Sequence, residues 1–124
     1  MAGLITNAEW KIMELLWEHE PRTITELTKE LKESTNWAKQ VIITMLQRMM
    51  EKGTVRCVEG GKAKQFFAAV TREEAEEAEA KAVMDKAFSG SPSLLISAMV
   101  RQQKISDKEL NEICNLLGLE KKND

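Results

Sequence analysis

Residues 34–66 restrict the fold of this chain more than any other segment of its sequence. Four apolar residues there recur at the i, i+3, i+4 and i+7 spacing of an amphipathic helix, namely Ile42, Met45, Leu46 and Met49. We predict that this helix covers residues 37–52 and ends before Gly53, which suits the left-handed position after a helix. Two short apolar strands, residues 54–58 and 65–69, follow it. A helix followed directly by a β-hairpin is therefore expected.

The positive charge of the chain is concentrated in the same segment. Residues 34–66 contain six basic and two acidic residues, a net charge of +4, whereas the complete chain has a net charge of −2. The flanking residues 1–33 and 71–124 each have a net charge of −3. A capped helix followed by a basic hairpin can fill a DNA groove and contact the phosphates beside it. This pattern predicts a winged helix-turn-helix domain in residues 1–70; the alternative is a solvated helix and hairpin in an ordinary small α+β domain.

The face of the predicted helix opposite its apolar stripe offers groups that can read DNA bases. It consists of Lys39, Gln40, Ile43, Thr44 and Gln47, with Arg48 at its edge. Glutamine can pair with adenine, lysine with guanine or phosphate, and threonine or isoleucine can contact the thymine methyl group. Lys62 and Lys64 flank the Gly60-Gly61 turn of the hairpin and are predicted to contact phosphates. An ordinary solvated surface is the alternative, although Ile43 gains little from exposure to water.

A first helix is predicted near the N-terminus. It begins at Thr6 or Asn7, which are favourable N-caps, and ends near Pro21, because proline disfavours helical geometry in the residue before it. Residues 22–24 are then short and extended, and we expect that they can pair with the hairpin as a third strand.

The second helix completes the predicted helix-turn-helix. Thr23 or Thr25 caps its start, and it runs to about Glu33. Residues 34–36, with the sequence Ser-Thr-Asn, are typical turn residues and offer an N-cap for the next helix.

Residues 71–124 are predicted to form three helices that need a partner. A threonine–glutamate capping box starts a long helix over residues 72–88, and a strongly apolar helix covers residues 93–103. A last helix starts after Ser106 and ends at Gly118. A segment of this length cannot bury so much apolar surface alone, so pairing with a second copy is predicted. The alternative is that these helices fold back on the N-terminal core. The predicted fold class is mainly α with a small β-hairpin, a winged helix-turn-helix domain plus a C-terminal helical dimerisation domain.

The sequence offers little chemistry for catalysis, metal binding or membrane insertion. His19 has no evident nucleophile partner, and the paired glutamates after Arg72 are more readily a solvated helix face. Cys57 and Cys114 form no Cys-x-x-Cys pair, and no histidine completes a metal set with them. No apolar run approaches the roughly 18 residues of a membrane span, and the N-terminus lacks the features of an export signal. We therefore expect no enzyme activity, no cofactor and no metal, in a cytoplasmic protein with reduced thiols.

A longer set of residues extends from Thr6 to Gly53, over the three helices predicted for the N-terminal domain. It includes Thr6-x-x-Glu9-Trp10-x-Ile12-Met13-x-x-Leu16-Trp17, then Trp37, and then Thr44-Met45-Leu46-x-Arg48-Met49-x-x-Lys52-Gly53. Together these residues resemble the penicillinase-repressor (BlaI/MecI/CopY) type of winged-helix bacterial repressors. The resemblance implies that the N-terminal domain binds a double-stranded DNA operator, that the C-terminal helices form a homodimer, and that the dimer blocks transcription. It also implies that Trp37 and Thr44 belong to the recognition helix, with Arg48 at its end.

Three departures from the family pattern limit what the resemblance implies. Gln40, Val41 and Ile43 stand where the family often has lysine, threonine and arginine, so the family's operator sequence is not expected here. Ala98-Met99 occupies the place of the Asn-Phe bond cleaved in the β-lactam branch, which argues against induction by proteolysis. Cys114 stands alone where the copper branch has Cys-x-Cys motifs, which argues against copper sensing. The effector or sensor protease is left open, and a winged-helix protein-interaction module without specific DNA binding is the alternative function.

Overall fold

The computed structural model describes residues 4–116, and within that range it contains six helices and one hairpin. In chain order these are α1 (Asn7–Glu18), α2 (Ile24–Thr35), α3 (Lys39–Lys52), β1 (Val55–Val58), β2 (Gln65–Ala68), α4 (Arg72–Ala87), α5 (Pro92–Arg101) and α6 (Asp107–Leu116). The architecture is mainly α with a small antiparallel β-hairpin, so the predicted fold class is confirmed. None of these helices is both long enough and apolar enough to cross a lipid bilayer.

Local capping signals position the starts of α1 and α2. Thr6 Oγ1 accepts a hydrogen bond from the Glu9 backbone amide at 3.1 Å, and the Glu9 carboxylate accepts one from the Thr6 amide at 3.0 Å. Thr23 and Glu26 form the same reciprocal pair at the start of α2. Such capping boxes satisfy amide groups that have no partner inside the helix. Of the two N-caps predicted as alternatives for each helix, Thr6 caps α1 and Thr23 caps α2.

The turn between α2 and α3 is displaced from its predicted position. α2 continues to Thr35 instead of ending near Glu33, and Asn36 closes it in a left-handed conformation with a φ of 56°. Asparagine visits this region more readily than most residues because its short side chain can form local hydrogen bonds. α3 then begins at Lys39, after an Ala38 N-cap that makes no side-chain hydrogen bond. The prediction that the Ser-Thr-Asn turn caps α3 was wrong, because these residues complete and close α2.

One hydrophobic core joins α1, α2, α3 and the hairpin. Its buried members in these elements are Ile12, Met13 and Leu16 of α1, Leu27 and Leu31 of α2, Ile42, Met45, Leu46 and Met49 of α3, and Val55 and Phe66 of the hairpin. Along α3 these residues repeat at intervals of three and four, so one face of the helix is buried and the opposite face is left outside. The predicted apolar stripe of α3 is confirmed.

The hairpin packs its inner side against this core. Its antiparallel register places Val55 opposite Ala68, Arg56 opposite Phe67, Cys57 opposite Phe66 and Val58 opposite Gln65. The Gly60-Gly61 pair lies in the connecting loop, residues 59–64. The Arg22 amide donates to the Phe66 carbonyl at 3.2 Å, and the Phe66 amide donates to the Arg22 carbonyl at 2.9 Å. The predicted third strand is thus a single bridging residue.

The chain divides into two compact units, one ending at Ala80 and the other beginning at Lys81. This division falls inside α4, and the functional boundary expected between residues 70 and 71 stays a prediction. In the second unit, the Ser91 hydroxyl caps the start of α5. Neither α5 nor α6 contains a buried side chain. The predicted end of the last helix at Gly118 lies outside the described residues.

Candidate nucleic-acid interface

The buried stripe of α3 determines which of its side chains face solvent. Successive helix residues are rotated by about 100°, so residues opposite the stripe point away from the core. Five of the predicted contact residues of α3 are exposed, namely Lys39, Gln40, Thr44, Gln47 and Arg48. Ile43 is half-buried and lies at the border of the exposed face. The structure therefore places Gln40, Thr44 and Gln47 together on the face opposite the stripe, while Lys39 and Arg48, which are nine residues apart, lie at its two opposite borders.

An ion pair attaches the end of α3 to the start of α1. The Lys52 ammonium lies 2.7 Å from Glu9 Oε1 and also donates to the Leu4 carbonyl at 2.8 Å. The Glu9 side chain is 1% exposed, so its charge is compensated inside the protein and not by water. Gly53 then closes α3 with a φ of 86°, which glycine adopts without a steric penalty. These contacts hold the end of α3 against α1, and nothing in the local sequence pattern pointed to a partner for Lys52.

Trp37 occupies the turn before α3. Its backbone amide donates to Thr35 Oγ1 at 3.2 Å, and its half-buried side chain packs against the hydrophobic core. The predicted helix start at Trp37 was therefore wrong, because the core contact holds this residue in the turn. The structure does not bring Trp37 onto the exposed face with Lys39 and Gln40. Its contact with DNA stays a prediction.

A shallow depression lies on one side of the exposed face. It is lined by Gln40, Val41, Thr44, Met45 and Arg48. Thr44 Oγ1 donates to the Gln40 carbonyl at 3.0 Å, so the hydroxyl hydrogen is already engaged within the helix. Val41 was absent from the predicted contact residues. Val41 lies three residues before Thr44 and seven before Arg48. This spacing in the sequence already places the three residues on the same side of the helix.

The loop of the hairpin contains two exposed lysines. Lys62 and Lys64 both lie between β1 and β2, where they were predicted to contact phosphates. Neither forms an ion pair with any residue that the structure describes. Arg56 on β1 is arranged differently, because its guanidinium carbon lies 4.2 Å from the centre of the Phe67 ring. The loop therefore contains two exposed lysine side chains, and the strand beside it contains an arginine whose guanidinium stacks on an aromatic ring.

The start of α2 carries a negative charge that the helix itself stabilises. The pKa of the Glu26 carboxyl lies below its ordinary value, mainly because the Thr23 backbone amide donates a hydrogen bond to the carboxylate. Desolvation opposes this shift, while side-chain hydrogen bonding with Thr23 and the charge of Arg22 reinforce it. An ionised carboxylate is favourable at a helix N-terminus, where the backbone amide groups point outward.

The fold and this surface together define a class of protein. Helices α2 and α3, their intervening turn and the β1–β2 hairpin form a winged helix-turn-helix, in which the second helix of the pair is the one that enters the major groove of DNA. The sequence identifies the particular family, because residues 5–118 match the profile described as Penicillinase repressor. The chain belongs to the penicillinase repressor family of transcriptional regulators. The resemblance noted in the sequence is thereby confirmed.

Two relatives illustrate how far the similarity extends. The penicillinase repressor of Bacillus licheniformis is 24% identical over 113 residues, which cover 91% of this chain and 88% of that protein. The methicillin resistance regulatory protein MecI of Staphylococcus aureus (strain N315) is 23% identical over 114 residues, covering 92% of this chain and 93% of that protein. The sequence similarity therefore includes both the winged region and the helices that follow it.

Solved structures match a smaller part of the chain. The solution structure of the DNA-binding domain of the repressor BlaI has a TM-score of 0.53 and 26% identity, over 60% of this chain and 93% of that one. The solution structure of the monomeric form of Bacillus licheniformis BlaI in complex with the blaP half-operator also has a TM-score of 0.53 and 26% identity, over 60% of this chain and 90% of that one. Both support the winged helix-turn-helix fold.

Proposed function

We propose that the protein is a sequence-specific transcriptional repressor that binds a palindromic DNA operator as a homodimer. In each copy α3 lies in the major groove, and its exposed face reads the bases. The base-reading residues are Gln40, Ile43, Thr44 and Gln47, the phosphate contacts are Lys39, Lys62 and Lys64, and Trp37 and Arg48 complete the DNA-binding set. The observation that carries this proposal is the exposed polar face of α3, held outward by the buried stripe on its other side.

The distribution of charge supports DNA as the partner. Residues 34–66 have a net charge of +4, and the exposed lysines among them lie on α3 and in the hairpin loop. Phosphates held by lysine release counterions, so affinity that depends on them falls as salt rises. The acidic segments on either side, each with a net charge of −3, disfavour contact of the rest of the chain with DNA. The positive charge thus favours one docking orientation, with α3 and the hairpin loop facing the duplex.

The similar BlaI structure suggests how the copies are arranged. In that structure a monomeric form of BlaI is in complex with a half-operator. By analogy we propose that each copy of this chain occupies one half-site of its own operator. Two helix-turn-helix domains related by two-fold symmetry read half-sites about one helical turn apart, or a multiple of it.

The second unit supports dimerisation through its exposed apolar side chains. Leu94 and Val100 of α5 are 50% and 46% exposed, and Leu116 of α6 is 87% exposed. Leaving several large apolar groups in water is unfavourable, and closed two-fold pairing is the commonest way for identical chains to cover them. We therefore assign α5 and α6 to the dimer interface, in a protein expected to act in the cytoplasm beside its DNA.

The test separates base reading from phosphate contact. An operator is first selected from a pool of random 30-base-pair duplexes, and binding of variants to it and to an unrelated duplex is then measured. Thr44→Ala should weaken operator binding about tenfold and leave binding to the unrelated duplex nearly unchanged. Lys62→Ala should weaken both and reduce the slope of log affinity against log salt by about one per copy. Lys11→Ala, which removes an exposed lysine of α1, is the matched control and should change neither.

Two results would contradict the proposal. Equal losses for Thr44→Ala and Lys62→Ala on both duplexes would refute the division between base and phosphate contacts. If no duplex were enriched, and no salt-dependent complex formed at micromolar protein, the winged domain would be a protein-interaction module instead.

A further inference from the structure

Val41 is an exposed apolar residue on a helix face that is otherwise polar. It is 43% exposed, although a β-branched residue is neither a favourable helix former nor favourable in water. Met50, the other large apolar residue exposed on α3, is 37% exposed and lies nine residues, or two and a half turns, further along. Val41 and Met50 therefore face opposite sides of the helix. Val41 lies on the side of Gln40, Thr44 and Arg48, and Met50 lies on the side of Ile43 and Gln47.

The surroundings of Val41 combine apolar and hydrogen-bonding groups in a small area. Val41 and Met45 line the depression beside Gln40, Thr44 and Arg48. Because Thr44 Oγ1 donates to the Gln40 carbonyl, the Thr44 hydroxyl is held by the helix and is not free to donate to a base. The depression thus offers an apolar surface bordered by an amide and a guanidinium, which can donate to neighbouring base edges. Such a surface fits a methyl group better than a polar one.

Val41 also has the right position along α3. It is the third residue of the helix, and in helix-turn-helix proteins the N-terminal residues of the second helix contact base edges. On the major-groove edge of DNA the apolar group is the C5-methyl of thymine, and the other bases present hydrogen-bond donors and acceptors there. The chemistry that matches an exposed valine at this position is therefore a thymine methyl group.

We propose that Val41 is a specificity-determining residue that selects a thymine at one position of each operator half-site by contact with its C5-methyl group. This inference rests on the proposed function, since it requires α3 to lie in the major groove. It adds to the predicted set a residue that provides no hydrogen bond and no charge. It adds an apolar contact to that proposed for Ile43, from a residue that is more exposed than the half-buried Ile43.

The experiment removes the thymine methyl group from the DNA and, separately, shortens the Val41 side chain of the protein. In the operator selected from random duplexes, each thymine is replaced in turn by deoxyuridine, which keeps every hydrogen-bonding group and lacks only the methyl. Replacement in one half-site should weaken binding of the unmodified protein about fourfold, the effect of one buried methyl group. Replacement in both half-sites should weaken it about 15-fold if the two are independent.

The protein variants show whether Val41 is the group that senses the methyl. Val41→Ala should weaken binding to the thymine operator and should be insensitive to deoxyuridine at the same position. Alanine is the best helix former and Val41 is 43% exposed, so this variant is expected to fold, which circular dichroism checks. Met50→Ala, with a similar exposed apolar residue removed from the other side of α3, should keep the full sensitivity to deoxyuridine.

The possible outcomes separate this inference from the proposed function. If specific binding is found but every deoxyuridine operator binds as tightly as the thymine operator, Val41 does not select thymine and the inference is overturned. It is equally overturned if Val41→Ala keeps the same fourfold loss, because another residue then contacts the methyl. If selection enriches no sequence at all, the proposed function fails, and the role of Val41 fails with it.

Discussion

Removing one partner of the ion pair between Lys52 and Glu9 should be among the most destabilising single substitutions in the winged domain. We consider the variant Lys52→Met, which keeps the length and apolar stem of the side chain and removes its charge. In the native protein the ammonium lies 2.7 Å from Glu9 Oε1, and the Glu9 side chain is 1% exposed. Glu9 Oε2 is buried and has no hydrogen-bond partner among the described residues. Without Lys52 the carboxylate would be left inside the protein with no compensating charge.

The expected magnitude follows from the burial of the two partners. Removing one member of a buried ion pair costs about 3 to 5 kcal/mol, because the remaining charge is left unpaired. The Lys52 side chain is 25% exposed, so water can partly replace it, and we expect the lower end, about 3 kcal/mol. For a domain of this size that corresponds to a fall in melting temperature of about 10 to 20 °C.

A second substitution should recover most of this loss. Glu9→Gln removes the buried charge and still allows a side-chain hydrogen bond to the Thr6 amide, since glutamine also serves at this position of a capping box. The double variant Glu9→Gln/Lys52→Met should therefore lie within about 1 to 2 kcal/mol of the native protein, because replacing both partners of a buried pair is far less costly than removing one.

Urea unfolding followed by tryptophan fluorescence measures these differences, since Trp10 and Trp17 belong to α1 and pack against the core. Lys11→Met is the control, because Lys11 is exposed and its change should stay within about 0.5 kcal/mol. The reasoning is refuted if Lys52→Met loses less than about 1 kcal/mol, or if the double variant is no more stable than the single one.

Two further predictions concern pH and assembly. The pKa of Glu26 is lowered in the folded protein by the Thr23 amide, so its contribution to stability is present above the ordinary carboxyl pKa and is lost as pH falls through the lowered value. Glu26→Gln should remove this part of the acid sensitivity of the urea midpoint, and an unchanged pH profile would contradict it. Leu94→Glu places a charge on the exposed face of α5 and should shift sedimentation from dimer to monomer. A native protein that sediments as a monomer would contradict the dimer.

Most local elements of the winged domain can be predicted from short-range patterns in the chain. The stripe of Ile42, Met45, Leu46 and Met49 is buried as its spacing predicted, and Thr6 and Thr23, each one of two predicted N-cap candidates, cap α1 and α2. Both signals connect residues three or four positions apart, so they can be recognised without knowing what the helix packs against. The exposed face of α3 followed from the same periodicity, because it is the side opposite the stripe.

The contacts between these elements, and several of their borders, depend on residues that are far apart in the chain. Lys52 and Glu9 are 43 positions apart, and no local pattern connects them. Trp37 lies in the turn before α3 and not in the predicted helix, because its side chain packs on the core. The exposure of Val41 depends on which neighbours cover α3. Burial and ion pairing are properties of surfaces that meet only after the chain has folded. The periodicity of the sequence therefore predicts which face of a helix is buried. The partners of individual side chains depend on long-range packing.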